Sequence, residues 1–239
     1  MRIFLAGAGG AIGRRLTPLL VKAGHAVTGT TRAPDKAEAV AALGATPVLV
    51  DVFDAEALAR AVQSAAPDVV IHQLTDLAFA PGSPQYEEGL ARNARLRIEG
   101  TRNLVAAARA AGVRRLIAQS IAFIYAPGSG ARVESDPLIA GEGEAARTVD
   151  AVGVLERVVL AMPEGIVLRY GFFYGPGTWS PAGRTRTPAV HVDAAAQAAL
   201  LAVNKGRPGV YNVAEDDPAL SSEKAKRELG FDAAFRSPA

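Results

Sequence analysis

Three glycines near the N-terminus have the spacing of a phosphate-binding turn. Gly7, Gly10 and Gly13 form G-x-x-G-x-x-G between the apolar run "RIFLA" and a helical pattern. In such a turn the glycines allow a tight bend, a close approach of backbone to pyrophosphate, and close packing of helix on strand. The free N–H groups at the helix N-terminus attract the anion. The motif predicts a dinucleotide site that also includes Ala11 and Ile12; the alternative is a turn that serves packing alone.

The end of the second apolar run indicates which dinucleotide is bound. An acidic residue at this place holds the ribose hydroxyls of NAD, but "GTTRAPDK" has Thr31 and Arg32 there and no acid before Asp35. A guanidinium is planar and permanently charged, which suits the 2′-phosphate of NADP. We therefore expect NADP, with NAD possible; alternatively Arg32 is a surface residue at the start of a loop. Asp51 and Val52, after the third run, are expected beside the adenine.

Composition excludes several classes of function. The 239 residues contain no cysteine, which removes disulfides, thiolate catalysis and zinc–thiolate sites. The net charge of +2 comes from scattered basic residues, so nucleic acid is not expected as a partner. No apolar run approaches the ~18 residues that a membrane span needs. His25, His72 and His191 lack metal-binding spacing. We expect a cytoplasmic protein with a small-molecule substrate, no metal and no membrane partner.

Apolar strand patterns alternate with helical patterns along the chain. Such alternation predicts a doubly wound parallel sheet, an α/β Rossmann fold, with helices on both faces. A long helix is predicted over about 93–111, and the Gly- and Pro-rich residues 171–188 predict an irregular loop. We assign residues 1–170 to a dinucleotide-binding domain. Residues 171–239 are assigned to a small, abbreviated C-terminal lobe on the substrate side, which is not an independent domain.

Four stretches carry a family resemblance: "AGAGGAIG", "EGTRNLVAAARAAGVRRLIAQSIAFIY", "VLRYGFFYGPGT" and "VHVDAAAQAALLAV". With them the chain resembles the extended and atypical short-chain dehydrogenase/reductases, in particular the NAD-dependent epimerase/dehydratase group. The resemblance implies an NAD(P)-dependent oxidoreductase, epimerase or dehydratase that acts on a carbonyl or sugar-type small molecule. It also implies that Gln73, Leu74 and Thr75 pass the cofactor's ribose, and that His72 has a packing or positioning role.

The chain departs from this family where the family places its proton relay. The tyrosine and lysine of the family's Y-x-x-x-K helix correspond here to Thr148 and Val152. Ile121 stands where the family has Ser or Thr. Arg97 replaces an asparagine that supports the helix in many members, and Asn93 lies one turn earlier. A shifted alignment does not restore the pair, since no tyrosine lies between residues 125 and 170 and no lysine between residues 36 and 205.

Other hydroxyl groups are therefore candidates for catalysis. Tyr125 and Tyr174 both follow predicted strands at the carboxyl edge of the sheet, where open α/β folds place ligands. Tyr125 is our first candidate for the proton donor, followed by Ser120 and Thr148. Two functions remain open: an enzyme with a substituted proton donor, or a non-catalytic protein that binds NADP(H) as a sensor or regulator.

Arginines recur every seven residues along the helix predicted over about 93–111. Arg95, Arg102 and Arg109 form a basic stripe on one side of it. The stripe is either a solvated, Glu-paired surface or a contact in a homodimer, because extended family members often pair through this helix and the one that contains Glu156.

Overall fold

The computed structural model describes residues 1–77, 82–140 and 143–237, and a parallel β-sheet runs through them. The strands in these residues are β1 (Arg2–Ala6), β2 (Ala26–Thr31), β3 (Thr46–Leu49), β4 (Val69–His72), β5 (Arg115–Ile121), β6 (Glu164–Tyr170), β7 (Phe172–Tyr174), β8 (Ala189–His191) and β9 (Gly209–Val213). The 7-stranded central sheet has the order β3-β2-β1-β4-β5-β6-β9, and every neighbouring pair is parallel. β7 and β8 form a separate parallel pair.

Helices connect the strands and cover both faces of the sheet. In the described ranges they are α1 (Ala11–Lys22), α2 (Ala37–Ala42), α3 (Ala55–Ala65), α4 (Tyr86–Arg95), α5 (Thr101–Ala110), α6 (Gly143–Leu160), α7 (Val192–Asn204) and α8 (Glu223–Leu229). A π-helical turn, Leu96–Gly100, joins α4 to α5. The strand order reverses between β1 and β4. In open α/β sheets this reversal opens a ligand-binding crevice at the carboxyl ends of the strands.

Side chains of the strands alternate between two apolar cores. In β1, Ile3 and Leu5 face the core shared with α1 and α7, whereas Phe4 and Ala6 face the core shared with α3, α5 and α6. This alternation follows from the period of two residues in a strand. Burial of each large apolar side chain contributes about 1.5–3 kcal/mol. The double burial holds the carboxyl ends of β1, β4 and β5 in fixed positions, and these ends form the site.

The predicted fold class is confirmed: the chain forms a doubly wound parallel sheet of the Rossmann type. The assignment of residues 171–239 to a C-terminal lobe stays a prediction, and these residues also contribute to the central sheet. β9 is its last strand, and α7 packs beside α1 in the helical layer. β7 and β8 form the second, two-stranded sheet.

Two elements differ from the sequence prediction. The helix predicted over about 93–111 begins at Tyr86 and contains the π-helical turn, so it comprises α4, the turn and α5. The loop predicted over residues 171–188 begins with a strand, β7, which pairs with β8. Both features depend on contacts with distant parts of the chain, and local sequence patterns do not report such contacts.

Candidate functional site

The glycine turn between β1 and α1 is packed closely against its neighbours. Gly7 has φ +96°, and a Cβ atom there would lie 2.7 Å from the carbonyl oxygen of Gln73. A Cβ atom on Gly13 would lie 2.2 Å from the carbonyl oxygen of Gly7. The N–H of Gly7 donates to Thr30 Oγ1 at 3.2 Å. Side chains are therefore excluded from two of the three motif positions, as a turn that brings its backbone to a pyrophosphate requires.

The N-terminus of α1 fits the same anion. Gly10 is the N-cap residue, it provides no side-chain cap, and the first turn carries no acidic residue. The N–H groups of Ala11 and Ile12 are thus left for a ligand. The buried Gln73 faces the same space, and its amide N and O have no hydrogen bond within the described residues. This amide lies beside the Tyr170 hydroxyl, which donates to the backbone carbonyl of Ala195.

The residues predicted to choose between NAD and NADP lie around the end of β2. The Arg32 side chain is 55% exposed, and its Nη2 lies 4.0 Å from Asp76 Oδ2. Arg92 from α4 donates to the same carboxylate at 3.2 Å. Two guanidinium groups therefore share one carboxylate at the rim. The Thr31 hydroxyl accepts a hydrogen bond from the N–H of Ala33 at 3.2 Å, which fixes the start of the loop.

The residues predicted beside the adenine follow β3. The Asp51 carboxylate accepts a hydrogen bond from the N–H of Phe53 at 2.9 Å. Val52 is buried against Gly100, where a Cβ atom would lie 3.0 Å from a Val52 methyl group. The Val52 carbonyl oxygen accepts from Asn103 Nδ2 at 3.0 Å. This part of the rim is thus fixed by α5.

His72 positions the segment that follows β4. Its Nε2 atom lies 2.9 Å from Thr101 Oγ1, and its Nδ1 atom accepts a hydrogen bond from the N–H of Leu74 at 3.2 Å. Because Nδ1 is an acceptor, the proton of the neutral ring is on Nε2. Burial lowers the pKa of His72 to about 4, and the nearby charge of Arg97 contributes. His72 is neutral at pH 7 and holds the chain at Gln73–Thr75.

A cavity of about 480 Å³ joins the glycine turn to an aromatic wall. Ala11, Ile12, Gln73 and Thr75 line the end at the turn. The opposite wall is largely aromatic and basic, with Phe123, Phe172, Tyr174, Trp179, Arg184 and Arg186. Phe123 and Phe172 stack with ring centroids 3.9 Å apart. One continuous space therefore has a dinucleotide-type turn at one end and a surface suited to a planar apolar ligand at the other.

A sequence profile of the NAD(P)H-binding family matches residues 7–153. The chain belongs to this family. Across 245 aligned positions it is 40% identical to the 3-diazoavenalumate denitrifying reductase of a Streptomyces species, with 93% of this chain and 79% of the relative covered. It is 26% identical to the 4-hydroxy-2-methyl-3-oxo-4-farnesyl-3,4-dihydroquinoline-1-oxide ketoreductase of Stigmatella aurantiaca, over 96% of this chain and 75% of that protein.

Solved structures confirm the predicted resemblance to the epimerase/dehydratase group at the level of the fold. The UDP-glucose 4-epimerase of Thermus thermophilus, in complex with NAD, superposes with a TM-score of 0.76 at 21% identity, covering 99% of this chain and 95% of that one. The UDP-glucose 4-epimerase of Thermotoga maritima, with UDP-glucose, superposes with a TM-score of 0.75 at 20% identity, covering 99% and 94%.

In this member of the NAD(P)H-binding family, the three catalytic candidates lie in two different places. Thr148 lines the cavity. Ser120 is buried, and its Oγ donates to Glu156 Oε1 at 2.7 Å, away from the cavity. The Tyr125 hydroxyl donates to Asn212 Oδ1 at 2.6 Å and accepts from Arg169 at 2.7 Å.

Neither Ser120 nor Tyr125 is among the cavity-lining residues. Burial raises the pKa of Tyr125, and the opposing effect of Arg169 is smaller. The proton-donor roles of these two residues stay predictions, and both hydroxyls already have partners within the chain. The second tyrosine, Tyr174, does line the cavity, but its hydroxyl donates to the Glu215 carboxylate.

Val152, which the family resemblance aligns with a lysine, makes apolar contacts. Val152 is fully buried in a small cluster with Ile121, Ile124 and Leu138. A lysine ammonium at this position would be removed from water without a partner, at a cost of several kcal/mol. The packing around this position thus suits valine and not lysine.

In the sequence, Arg97 and Asn93 stand out only because they differ from the family's usual pattern. Both residues line the cavity. Asn93 Oδ1 accepts from the N–H of Asp76 at 3.0 Å and so fixes the rim. Arg97 is a buried residue of the cavity wall. The signal in the sequence was an arginine in the helical stretch "LRIEGT" at a position where the helix faces the sheet.

Two of the arginines in the basic stripe make contacts within the chain. Arg95 pairs with Glu99 at 2.7 Å, and Arg109 donates to the carbonyl oxygen of Ala161 at 2.8 Å. Arg102 is exposed. The homodimer contact through this stripe stays a prediction.

Across residues 1–77, 82–140 and 143–237, no helix combines the length and apolar character needed to cross a membrane. In the same residues, no three histidine, cysteine, aspartate or glutamate side chains come together as a metal site.

Proposed function

We propose that the protein is an NADP-dependent reductase of a planar, aromatic small molecule. The observation that carries the proposal is the single cavity shared by the glycine turn and the aromatic wall. A cofactor held at the turn would direct its reactive end into the space that the aromatic residues enclose. The 40% identity to a protein named as a reductase supports the same class of reaction.

The residues that would hold the cofactor follow from the geometry of the turn. The N–H groups of Ala11 and Ile12 would bind the pyrophosphate, and Gly13 keeps α1 close enough to present them. The unpaired amide of Gln73 would bind the cofactor beyond the ribose. When bound, the dinucleotide supplies a hydride. The protein's own part is to position the two molecules and to exclude competing reactions.

Arg32 is the basis for preferring NADP. Its exposed guanidinium lies at the carboxyl end of β2, where an acid would hold the ribose of NAD. Arg92 lies against the same carboxylate and would add a second positive charge near the phosphate. NAD remains the alternative cofactor.

The wall of the cavity supports an aromatic substrate more strongly than a sugar. Phe123 and Phe172 are already stacked on one another, and Trp179 is 48% exposed at the same wall. Exposed rings of this kind favour planar apolar ligands through stacking and burial of apolar surface. The two relatives named as reductases act, by their names, on 3-diazoavenalumate and on a dihydroquinoline oxide.

The proton in such a reduction would not come from a Tyr-x-x-x-Lys pair, because α6 contains neither residue. We propose that water in the cavity supplies it. Thr148, which lines the cavity, would orient that water, since an aliphatic hydroxyl is far too weakly acidic to act as a tyrosine does.

The alternative function is a non-catalytic NADP(H) sensor, and one observation favours it. The buried Val152 leaves no charge where the family's relay places one. To separate the two functions, the purified protein would be mixed with NADPH deuterated at C4 and a panel of aromatic ketones, enones and diazo compounds. Transfer of deuterium to a product, detected by mass spectrometry, is expected for the reductase. Firm NADPH binding without transfer to any compound would favour the sensor.

A further inference from the structure

Arg97 lies in the π-helical turn between α4 and α5, and its position is unusual for an arginine. The residue is only 7% exposed, yet its side chain lines the cavity. Isolated π-helical turns inserted in α-helices occur frequently at functional sites. Here the turn places a long charged side chain between the sheet and the space where the substrate would lie.

Within the described residues, the Arg97 guanidinium makes no hydrogen bond or ion pair that meets ordinary distance limits. The acid that acts on it electrostatically is Glu156. Both oxygens of this carboxylate are already bound by Arg169, at 2.6 and 2.8 Å. His72, the other titratable neighbour, is neutral. Arg97 is therefore a buried positive charge in a residue that lines the cavity, and no described residue pairs with its guanidinium.

The charge persists at neutral pH. Burial lowers the pKa of Arg97 to about 10, and the opposing effect of Glu156 is smaller. An anion that enters the cavity would pair with this charge and stabilise it. Buried charges in proteins are ordinarily paired, so an unpaired one that borders a cavity indicates an anionic ligand.

We propose that Arg97 binds a carboxylate of the substrate, so that the preferred substrate is an aromatic carboxylate. The inference rests on the proposed function, because it assumes that the substrate occupies this cavity. A guanidinium presents two parallel N–H donors that match the two oxygens of a carboxylate. The stacked rings of Phe123 and Phe172 would receive the planar part of the same molecule.

The experiment measures binding of matched charged and neutral probes. Cinnamate and cinnamamide have the same planar body and differ in the charge at one end. Each would be titrated calorimetrically into the full-length protein saturated with NADP⁺. We expect the wild type to bind cinnamate at least about tenfold more tightly, as for hydrogen bonds between charged groups. Arg97→Gln should lose this difference, Arg97→Lys should keep part of it, and the exposed Arg102→Gln should behave as the wild type.

A second readout distinguishes substrate binding from a purely structural role. Arg97→Met keeps the apolar stem but removes the unpaired buried charge, so its thermal midpoint without ligand should equal or exceed that of the wild type. A lower midpoint, or equal binding of both probes by the wild type, would overturn the role of Arg97. A failure of the wild type to bind any nicotinamide dinucleotide would instead refute the proposed function. Loss of NADP⁺ binding in Arg97→Gln would reassign the residue to the cofactor.

Discussion

Arg169 and Glu156 form a buried ion pair that joins β6 to α6. Arg169 Nη2 lies 2.6 Å from Glu156 Oε2, and Arg169 Nε lies 2.8 Å from Oε1. Ser120 donates to the same carboxylate from β5, and Tyr125 accepts from Arg169. The pair thereby ties three elements behind the cavity wall and explains why two of the predicted catalytic hydroxyls are engaged elsewhere.

Glu156→Gln should destabilise the protein strongly. The change leaves Arg169 charged and buried without its counter-ion, and breaking a buried pair in this way costs about 3–5 kcal/mol. Urea denaturation followed by circular dichroism would measure the free energy of unfolding. Glu99→Gln, which breaks the exposed pair with Arg95, should produce no measurable change. A loss of stability in Glu156→Gln no larger than in this control would show that the pair is dispensable.

Thr148→Ala and Tyr125→Phe should both retain most of any reductase activity. An aliphatic hydroxyl does not replace an activated tyrosine, so loss of the Thr148 hydroxyl should change turnover by less than about tenfold, roughly 1.4 kcal/mol of barrier. Tyr125 lies outside the cavity lining, so Tyr125→Phe should leave turnover similar. It should lower stability by about 2–4 kcal/mol, because two hydrogen bonds are lost and one of them is with the charged Arg169. A loss of a hundredfold or more in kcat for either variant would identify it as a general acid.

The parts of the site that the sequence predicted are those encoded locally. Gly7 and Gly13 lie in one short stretch, and their spacing alone indicates a turn that excludes side chains. The hydrogen-bond partners of Tyr125 and Ser120 could not be predicted in this way. Tyr125 pairs with Asn212, 87 positions away, and Ser120 with Glu156, 36 positions away. Only the folded chain shows that these hydroxyls are already used.

The helix that carries Arg97 illustrates the same limit. Its apolar pattern predicted a helix, and the structure confirms one, but the π-helical turn at Leu96–Gly100 turns Arg97 toward the cavity. Helical periodicity places an arginine on a face without indicating whether a charged partner is near. The family resemblance showed only that Arg97 stands where many members have an asparagine. The structure shows that Arg97 is buried and lines the cavity.

Gly13→Ala should weaken dinucleotide binding strongly while leaving a folded protein. The new methyl group would lie 2.2 Å from the Gly7 carbonyl oxygen, so the turn or the start of α1 must move. Overpacking of this kind costs about 1–3 kcal/mol in stability. Fluorescence titration with NADPH should show at least a tenfold loss of affinity. Gly153→Ala, on α6 with open space around the new atom, is the matched control and should bind as the wild type. Equal affinity of both variants for NADPH would show that the glycine turn serves packing and does not bind the cofactor.

The wild type should bind NADPH at least about tenfold more tightly than NADH, because Arg32 offers a charged partner to the 2′-phosphate. Arg32→Gln should remove most of this preference, and Arg32→Asp should reverse it. Titration of both reduced cofactors by fluorescence gives the ratio directly. Arg60→Gln, on α3 and remote from the turn, should leave the ratio unchanged. A wild type that binds NADH as tightly as NADPH would contradict the assignment of Arg32.

Stability should fall in weak acid because of His72. Its pKa is about 4 in the folded protein against an ordinary value of 6.5, so between these values the unfolded chain takes up a proton that the folded protein does not. The contribution is fully present above pH 6.5 and is lost as the pH falls toward 4, by roughly 3 kcal/mol in total. His72→Gln removes the titrating group, whereas the carboxylates of the two proteins are the same. Urea denaturation at several pH values between 7 and 4 should therefore show a steeper loss of unfolding free energy in the wild type than in His72→Gln. Parallel curves for the two proteins would mean that the ring is protonated in the folded state, and the hydrogen bond from Leu74 to Nδ1 would then have to be reassigned.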